Sequence, residues 1–360
     1  MASRAAPVFA AIPAGGVGSR LWPRSRRASP KHVLSLSGSG QPLLIEAYER
    51  IRPLVDEVFV VTEEPQAEMI LDLIPGLGRE HLIVEPAARG TTNALGLAAM
   101  TLAELDPQAL MLSTAADHVI SGQRAFARAI ESALQVARSS PSLVTVGLKP
   151  RFPSSGFGYI ESGGRVRIGG RLVDRVAAFV EKPDAELARR YMEGGRHFWN
   201  LSLFAFQLGA FLNELRQFGP RHHAGLLRVL AARRAGDEAR AAAIYTRLPV
   251  AAIDYTVMER SQRLYMIRAG FQWSDVGSWA DLAQLLAVDG AGNASQGEAL
   301  LVDCRGVFVS ASDRLVVGLG LEDLVVVDTD DAILIMPKAR AQDVKGVVAA
   351  LKRAGRDRYL

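Results

Sequence analysis

The 360 residues are 49% hydrophobic and 22% charged with a formal net charge of +4, a composition that gives a folded chain enough interior for one large domain plus a small one and excludes a disordered one. No stretch reaches the roughly 18 unbroken apolar residues of a membrane helix, and the opening Met1–Pro7 lacks a secretory hydrophobic region, so no membrane partner is expected and a cytoplasmic location is the default. The single cysteine, Cys304, excludes an intramolecular disulfide and any cysteine-cluster zinc site.

Val8–Ile12 is a short apolar run that enters Pro13-Ala-Gly-Gly-Val-Gly-Ser-Arg20, the pattern of a buried strand feeding a glycine-rich loop. The segment around it is charged in one sense only. Met1–Ile45 contains no Asp or Glu but carries Arg4, Arg20, Arg24, Arg26, Arg27 and Lys31, so it holds +6 and the other 315 residues hold −2. A positive field confined to one short segment suits a compact polyanion such as a triphosphate better than a duplex, and no nucleic-acid partner is expected.

Further apolar runs at Val58–Val61, His81–Val84, Leu110–Leu112 and Leu143–Gly147 alternate with helical patterns at Pro42–Ile51, Gln66–Leu73, Asn93–Leu105 and Arg124–Val136. Such alternation predicts an α/β fold with a mainly parallel sheet covered on both faces. After Pro150 the rhythm changes. Gly156–Ile168 reads as a turn-rich hairpin, Val173–Glu181 and Phe198–Phe206 read as strands flanking a helix at Ala185–Glu193, and helices dominate Gly209–Ala243 and recur near Tyr255–Ser261. The small, polar, glycine-rich 289–297 stretch is the linker candidate, which divides the chain into 1–288, the linker, and 298–360. The last part carries short strands centred near Val302, Phe308, Val316, Val326 and Leu334 and a helix at about Gln342–Arg353, the signature of a small β-module or a sandwich fragment.

Consecutive backbone N–H groups in Gly15-Gly16-Val17-Gly18-Ser19-Arg20 could cradle phosphate oxygens, and a purely structural turn fits the same residues. No Gly-Lys-Ser/Thr follows, so it is not a Walker loop. Leu21 occupies the third glycine position of the dinucleotide fingerprint and no acid stands near residue 36, so it is not that motif either. The chain has only six lysines (Lys31, Lys149, Lys182, Lys338, Lys345, Lys352) against 36 arginines, which marks each lysine as a candidate site for a compact ammonium.

Gly15-Gly-Val-Gly-Ser-Arg-Leu-Trp-Pro-Arg-Ser-Arg26 with Pro30-Lys31 resembles the opening motif of sugar-nucleotide pyrophosphorylases, specifically the mannose-1-phosphate guanylyltransferase family. The resemblance continues in order through Glu85-Pro86 with Arg89 and Thr91, Asp117-His-Val-Ile120, Gly158-Tyr-Ile160, Phe179-Val-Glu-Lys-Pro183, Trp199-Asn200, Ile253-Asp-Tyr-Thr-Val-Met-Glu259, Trp273-Ser-Asp-Val-Gly-Ser-Trp279 and Leu321–Thr329. It covers nearly the whole chain and leaves out the isomerase domain of bifunctional members.

The resemblance implies a Rossmann-like nucleotide-diphospho-sugar transferase domain followed by a short left-handed β-helix. It also implies transfer of GMP from GTP to a sugar-1-phosphate, with release of pyrophosphate. On that basis Ala14, Gly15, Gly16, Gly18, Ser19 and Arg20 hold the nucleotide's phosphates, Lys31 reaches the α-phosphate region, and Glu85, Arg89 and Thr91 lie on the purine and ribose side. Gly158, Tyr159, Glu181, Lys182 and Asn200 form the sugar-phosphate side, with Arg20, Lys31 and Lys182 as the catalytic cations. Asp117 and Asp275 are the implied ligands of Mg²⁺, whose hard character suits carboxylate oxygens. Asp254 either contacts substrate or caps a helix at Tyr255. Trp22, Trp199, Trp273 and Trp279 read as core or wall. His118 has no base to supply, because a phosphate monoester nucleophile is already anionic near neutral pH. The module at 298–360 either closes over the active site or pairs subunits, a homodimer being one outcome.

Three departures from the family pattern stand out: Ala115 where Pro is usual, Gly90 where Asn is usual, and Leu201-Ser202-Leu203 where Ser-Gly-Met is usual. The last bears on the identity of the sugar more than on the reaction. It also keeps two other readings open, a transferase for a related hexose- or heptose-1-phosphate and a non-catalytic GDP-sugar-binding relative.

Overall fold

Strands form in this chain where β-branched and large apolar residues run together between turn residues. The computed structural model describes residues 5–360; Arg4 lies outside them. The first elements are β1 (Val8–Pro13), α1 (Leu43–Ile51), β2 (Glu57–Glu63), α2 (Glu64–Leu73), β3 (Leu82–Glu85), α3 (Thr91–Leu105), β4 (Leu110–Ser113), β5 (Val119–Ser121), α4 (Gln123–Ser139) and β6 (Leu143–Leu148). They are followed by β7 (Gly158–Ile168), β8 (Arg171–Glu181), α5 (Ala185–Gly194), β9 (His197–Gln207), α6 (Leu208–Phe218), α7 (Pro220–Arg234), α8 (Glu238–Tyr245), β10 (Leu264–Ala269) and β11 (Gln272–Ser274). The remainder comprises α9 (Trp279–Ala283), β12 (Ala294–Gln296), β13 (Ala299–Val302), β14 (Phe308–Ser310), β15 (Val316–Leu319), β16 (Leu324–Asp328), β17 (Ile333–Pro337) and α10 (Val344–Arg353).

The chain divides into two compact units. One takes the chain up to Gly15, Ala47–Ala116 and Ile120–Gln272; the other takes Gly16–Glu46, Asp117–Val119 and Trp273–Leu360.

The first unit is built on a nine-stranded sheet of order β3-β2-β1-β4-β9-β6-β10-β8-β7. Val8–Ile12 and Leu143–Leu148 are buried at every position, as strands covered on both faces must be. Phe9, Ala11, Phe59, Val61 and Met111 join residues of α3, α6 and α7 in one core, while α4 packs on β4, β6, β9 and β10. The pairings make the sheet mixed. β3, β2, β1, β4, β6, β10 and β7 share one direction, and β9 and β8 run against it. Where the sequence suggested a hairpin inside 156–168, residues 158–168 form one strand of a longer hairpin with β8. Its irregular register at Ser162–Arg165 absorbs Gly163-Gly164, and the reversal comes at Gly169-Gly170, both at positive φ. Strand β10, which the sequence reading did not pick out, lies between β6 and β8.

In the second unit β12, β14 and β16 pair in parallel, as do β13 and β15, so successive short strands stack turn upon turn in a β-helix-like stalk rather than a sandwich. Antiparallel β17 closes the stack on β16. Residues 289–297 are integral to it: Asn293 donates to Asp289 Oδ2 and the Cys304 carbonyl, both at 3.0 Å, and accepts from Val307 N. Residues 16–45 of the acid-free segment, the arm that follows β1, belong to the same unit. Leu21, Trp22, Leu36 and Leu43 share a core with Trp279, Phe308, Val325 and Val344, and Trp279 Nε1 donates to the Trp22 carbonyl at 2.9 Å. Two arm cations have fixed partners in this unit. Arg24 donates to the Ala311 carbonyl at 2.6 Å, and Arg26 forms a bidentate pair with Asp331.

Trp279→Ala should destabilise the protein by about 3–5 kcal/mol by emptying the centre of this core. Leu319→Ala, at a side chain 72% exposed, should change stability by less than about 0.5 kcal/mol. Denaturant midpoints of the two variants check the contrast.

Candidate active site

In an open α/β sheet, ligands gather beyond the carboxyl ends of the strands, where the strand order reverses. Here β1 lies between β2 and β4 and pairs in parallel with both, so the reversal falls between β1 and β4. The glycine loop leaves the carboxyl end of β1, and the segment to Asp117 leaves that of β4. The root of the loop is fixed, Ala14 N donating to the Val61 carbonyl at 2.7 Å and accepting from Thr62 Oγ1 at 3.1 Å.

Beyond the root, Gly18 at φ 75 opens a 3₁₀ turn over Ser19–Leu21. A Cβ there would stand 2.6 Å from Lys31 Cβ, so only glycine fits. Lys31 N donates to the Val17 carbonyl at 3.1 Å, which lays the Pro30-Lys31 segment against the loop. The buried Lys31 ammonium donates to Asp117 Oδ2 at 2.6 Å and to the main-chain carbonyl of Asp275. Gly18, Ser19, Arg20, Lys31, Asp117 and Asp275 thus line one cavity of about 370 Å³, together with His118, Gly277 and Lys345.

The electrostatics of this cavity follow from crowding of charge. Burial works against the Asp117 carboxylate, but Lys31 and His118 hold its pKa below the usual value. Burial pushes Asp275 up to about 6, Lys31 opposing and Asp281 and Asp117 adding repulsion. Burial pushes His32 down to about 4, so the imidazole beside Lys31 is neutral. Two neighbouring carboxylates suit a hard divalent cation that completes its coordination with phosphate and water. Among the described residues there is no cluster of three or more His, Cys, Asp and Glu side chains placed to cage a metal.

A second constellation lies in the first unit. Gly158 pairs with Glu181, and a Cβ on Gly158 would fall 2.4 Å from Glu181 Oε2 and 3.3 Å from Asn200 Cβ. Lys182, at φ 51, donates to Glu181 Oε1 at 2.8 Å. Burial lowers its pKa, yet Glu181 and Asp254 leave it above the ordinary lysine value. Asn200 Nδ2 donates to Asp254 Oδ1 at 2.9 Å. Asp254, pushed up to about 6 by burial and by Glu181, opens a π-helical turn (Asp254–Met258) rather than capping one. The sequence reading placed the Tyr159 side chain on the sugar side. Its ring is fully buried beside that of Tyr191, and its hydroxyl exchanges hydrogen bonds with the main chain of Ser154. Ser202 sits at φ 51, which explains why a glycine is usual there.

The residues expected on the nucleoside side all have intrachain partners. Arg89 donates twice to the Leu248 carbonyl (3.0 and 2.6 Å). Thr91 Oγ1 accepts from Ile253 N at 2.9 Å. The buried Glu85 accepts from the Tyr245 hydroxyl. Tyr245 and Lys345 were missed as neighbours of these sites; for Lys345 the scarcity of lysine was the available signal.

Comparison with known proteins settles the family. Residues 10–290 match the family described as nucleotidyl transferase, and residues 297–351 match the mannose-phosphate isomerase/GMP-like beta-helix domain. A mannose-1-phosphate guanylyltransferase of Escherichia coli is 36% identical over 353 residues, 97% of this chain and 74% of that protein. The chain belongs to the mannose-1-phosphate guanylyltransferase family of nucleotidyl transferases. The xanthan biosynthesis protein XanB of Xanthomonas campestris pv. campestris is 36% identical over 360 residues, 97% of this chain and 74% of that protein. A crystal structure from Thermus thermophilus, described as a mannose-1-phosphate geranyltransferase, superposes with a TM-score of 0.84 at 33% identity over 96% of this chain and 99% of that one.

Burial raises Glu85 from 4.5 to about 7, a hydrogen bond from Tyr245 opposing and Glu63 adding to the rise. A folded-state pKa above the unfolded one means that the folded chain keeps a proton the unfolded chain has released. That stabilisation is complete below the unfolded value and is lost as pH rises through the folded one. The neutral Glu85→Gln variant should therefore gain on the parent protein, by on the order of 2 kcal/mol, between pH 5 and pH 8. Thermal melts at both pH values check it, and a difference independent of pH would contradict a protonated Glu85.

Proposed function

We propose that this nucleotidyltransferase catalyses attack by a phosphate oxygen of α-D-mannose 1-phosphate on the α-phosphorus of GTP. A new P–O bond forms as the bond from the α-phosphorus to the β-bridging oxygen breaks, giving GDP-mannose and pyrophosphate. The observation that carries this reading is the cavity in which Lys31 is held between Asp117 and Asp275 beside the glycine loop. The names of the relatives support the choice of sugar and base.

Both reactants are anions, so the work is charge neutralisation and alignment. The main-chain N–H groups of Gly15–Ser19 and the Arg20 guanidinium receive the β- and γ-phosphates. Among the described residues Arg20 has no acidic partner to release first. Lys31 neutralises the α-phosphate region, pre-positioned by its two acceptors. Asp117 and Asp275 would hold Mg²⁺, which when bound withdraws charge from the phosphates and steadies the leaving pyrophosphate. Lys182 receives the sugar's phosphate. Glu181 and Asn200 accept from and donate to its hydroxyls, with Gly158 giving clearance. Tyr159 acts through the Ser154 segment that it fixes, and Glu85, Arg89 and Thr91 shape the nucleoside side by holding Tyr245, Leu248 and Ile253. The protein acts on small anions without nucleic acid.

Pyrophosphate release across a matrix of nucleoside triphosphates and sugar-1-phosphates should peak at GTP with mannose 1-phosphate. A peak at another hexose- or heptose-1-phosphate would point to the Leu201-Ser202 departure, and silence across the matrix would favour a non-catalytic role. Asp117→Asn and Asp275→Asn should each cut kcat at saturating Mg²⁺ by ~10²-fold or more; unchanged rates would refute the assigned ligands. Lys182→Ala should raise KM for mannose 1-phosphate by at least about ten-fold with GTP affinity nearly unchanged. Selective loss of GTP affinity would show that the two phosphate sites are exchanged.

A further inference from the structure

One cation of the phosphate cavity comes from the far end of the chain. Val344, the first residue of α10, is buried in the core that holds Leu21 and Trp22. The helix packs against the 3₁₀ turn Ser19–Leu21, so its first turn is fixed beside the residues that follow Gly18. The next side chain, Lys345, lines the same cavity as Gly18, Ser19, Arg20, Lys31, Asp117 and Asp275.

Its charge is uncommitted. Among the described residues no ion pair joins Lys345. Asp117 is taken by Lys31, and Asp343, the acid nearest along the chain, pairs with Arg340 at 2.9 Å. The first turn of α10 contains no acid. Lys345 is also one of six lysines in a chain with 36 arginines. Three cations (Arg20, Lys31, Lys345) line the cavity with two carboxylates (Asp117, Asp275), a surplus that attracts an anion.

We propose that Lys345 binds the β- and γ-phosphates of the nucleoside triphosphate, and the pyrophosphate they become, so that the C-terminal helix completes the polyphosphate site. The inference rests on the nucleotidyl-transfer reading above. The β- and γ-phosphates are assigned, rather than the α-phosphate, because α10 packs on the Ser19–Leu21 turn that carries Arg20, whereas Lys31 approaches from the Asp117 side.

The test is titration calorimetry with Mg²⁺ on the full chain, using GTP, GMP and inorganic pyrophosphate as probes, paired with steady-state kinetics in both directions. Lys345→Gln should weaken GTP and pyrophosphate about ten-fold, the worth of one charge-assisted hydrogen bond, and leave GMP unchanged. KM for GTP and, in reverse, for pyrophosphate should rise by the same factor, with KM for mannose 1-phosphate and GDP-mannose unmoved. Lys345→Arg should recover most of the loss. Lys352→Gln, at an exposed lysine two turns further along α10, should behave as the parent. Unchanged GTP and pyrophosphate affinity in Lys345→Gln, or a loss shared equally by GMP, overturns the inference while the reaction stands. A parent protein that neither prefers GTP to GMP nor turns over any substrate pair overturns the reading and the inference together.

Discussion

A buried ammonium is costly unless its donors are satisfied, and much of the site is arranged around that requirement at Lys31. Its two acceptors, the Asp117 carboxylate and the Asp275 carbonyl, lie 86 and 244 residues away in sequence. Meeting them gathers Gly16–Glu46, Asp117–Val119 and the chain after Trp273 into one compact unit. Asp117 and Asp275 are thereby brought into one cavity, where burial raises the pKa of Asp275 and the Asp117 charge adds to the rise, and two carboxylates so placed suit a divalent cation.

The same unit shows that a positively charged segment need not direct all its charge at a ligand. Arg24 and Arg26 tie the arm to the β-helix-like stalk through Ala311 and Asp331, while Arg20 and Lys31 face the cavity. Cations tied to the stalk and cations lining the cavity thus lie within twelve residues of one another, and the division follows from which side chain meets a fixed acceptor in the stalk. An arginine with a carboxylate in a bidentate geometry is already neutralised, and one without can receive phosphate.

In the constellation around Lys182, unfavourable conformation and burial are tolerated. Lys182 and Ser202 both occupy the left-handed region that a side chain resists, and Asp254 is held buried at a pKa near 6. Backbone strain and buried carboxylates of perturbed pKa recur at functional sites, and here the strained Ser202 coincides with the departure from the family pattern. The Leu201-Ser202 pair therefore alters a strained position inside β9, where its register against β6 shifts, rather than a regular strand position.

Local features were legible because their causes are local. The strand at Val8–Ile12, the helices at 42–51, 93–105 and 124–136 and the glycine loop follow from apolar spacing and from turn chemistry within a few residues. The ordered motifs, read as a resemblance, named the family and both aspartates. Strand direction, the bulged 158–181 hairpin and the place of β10 were not legible, since an apolar run carries no mark of which neighbour it will pair with or in which sense. Nor could spacing show that Tyr159 turns into the core, that Tyr245 meets Glu85, or that Lys345 joins a cavity begun more than 300 residues earlier. Those outcomes are long-range: they depend on which buried polar groups find partners once the chain has closed, and only the folded arrangement supplies the partners.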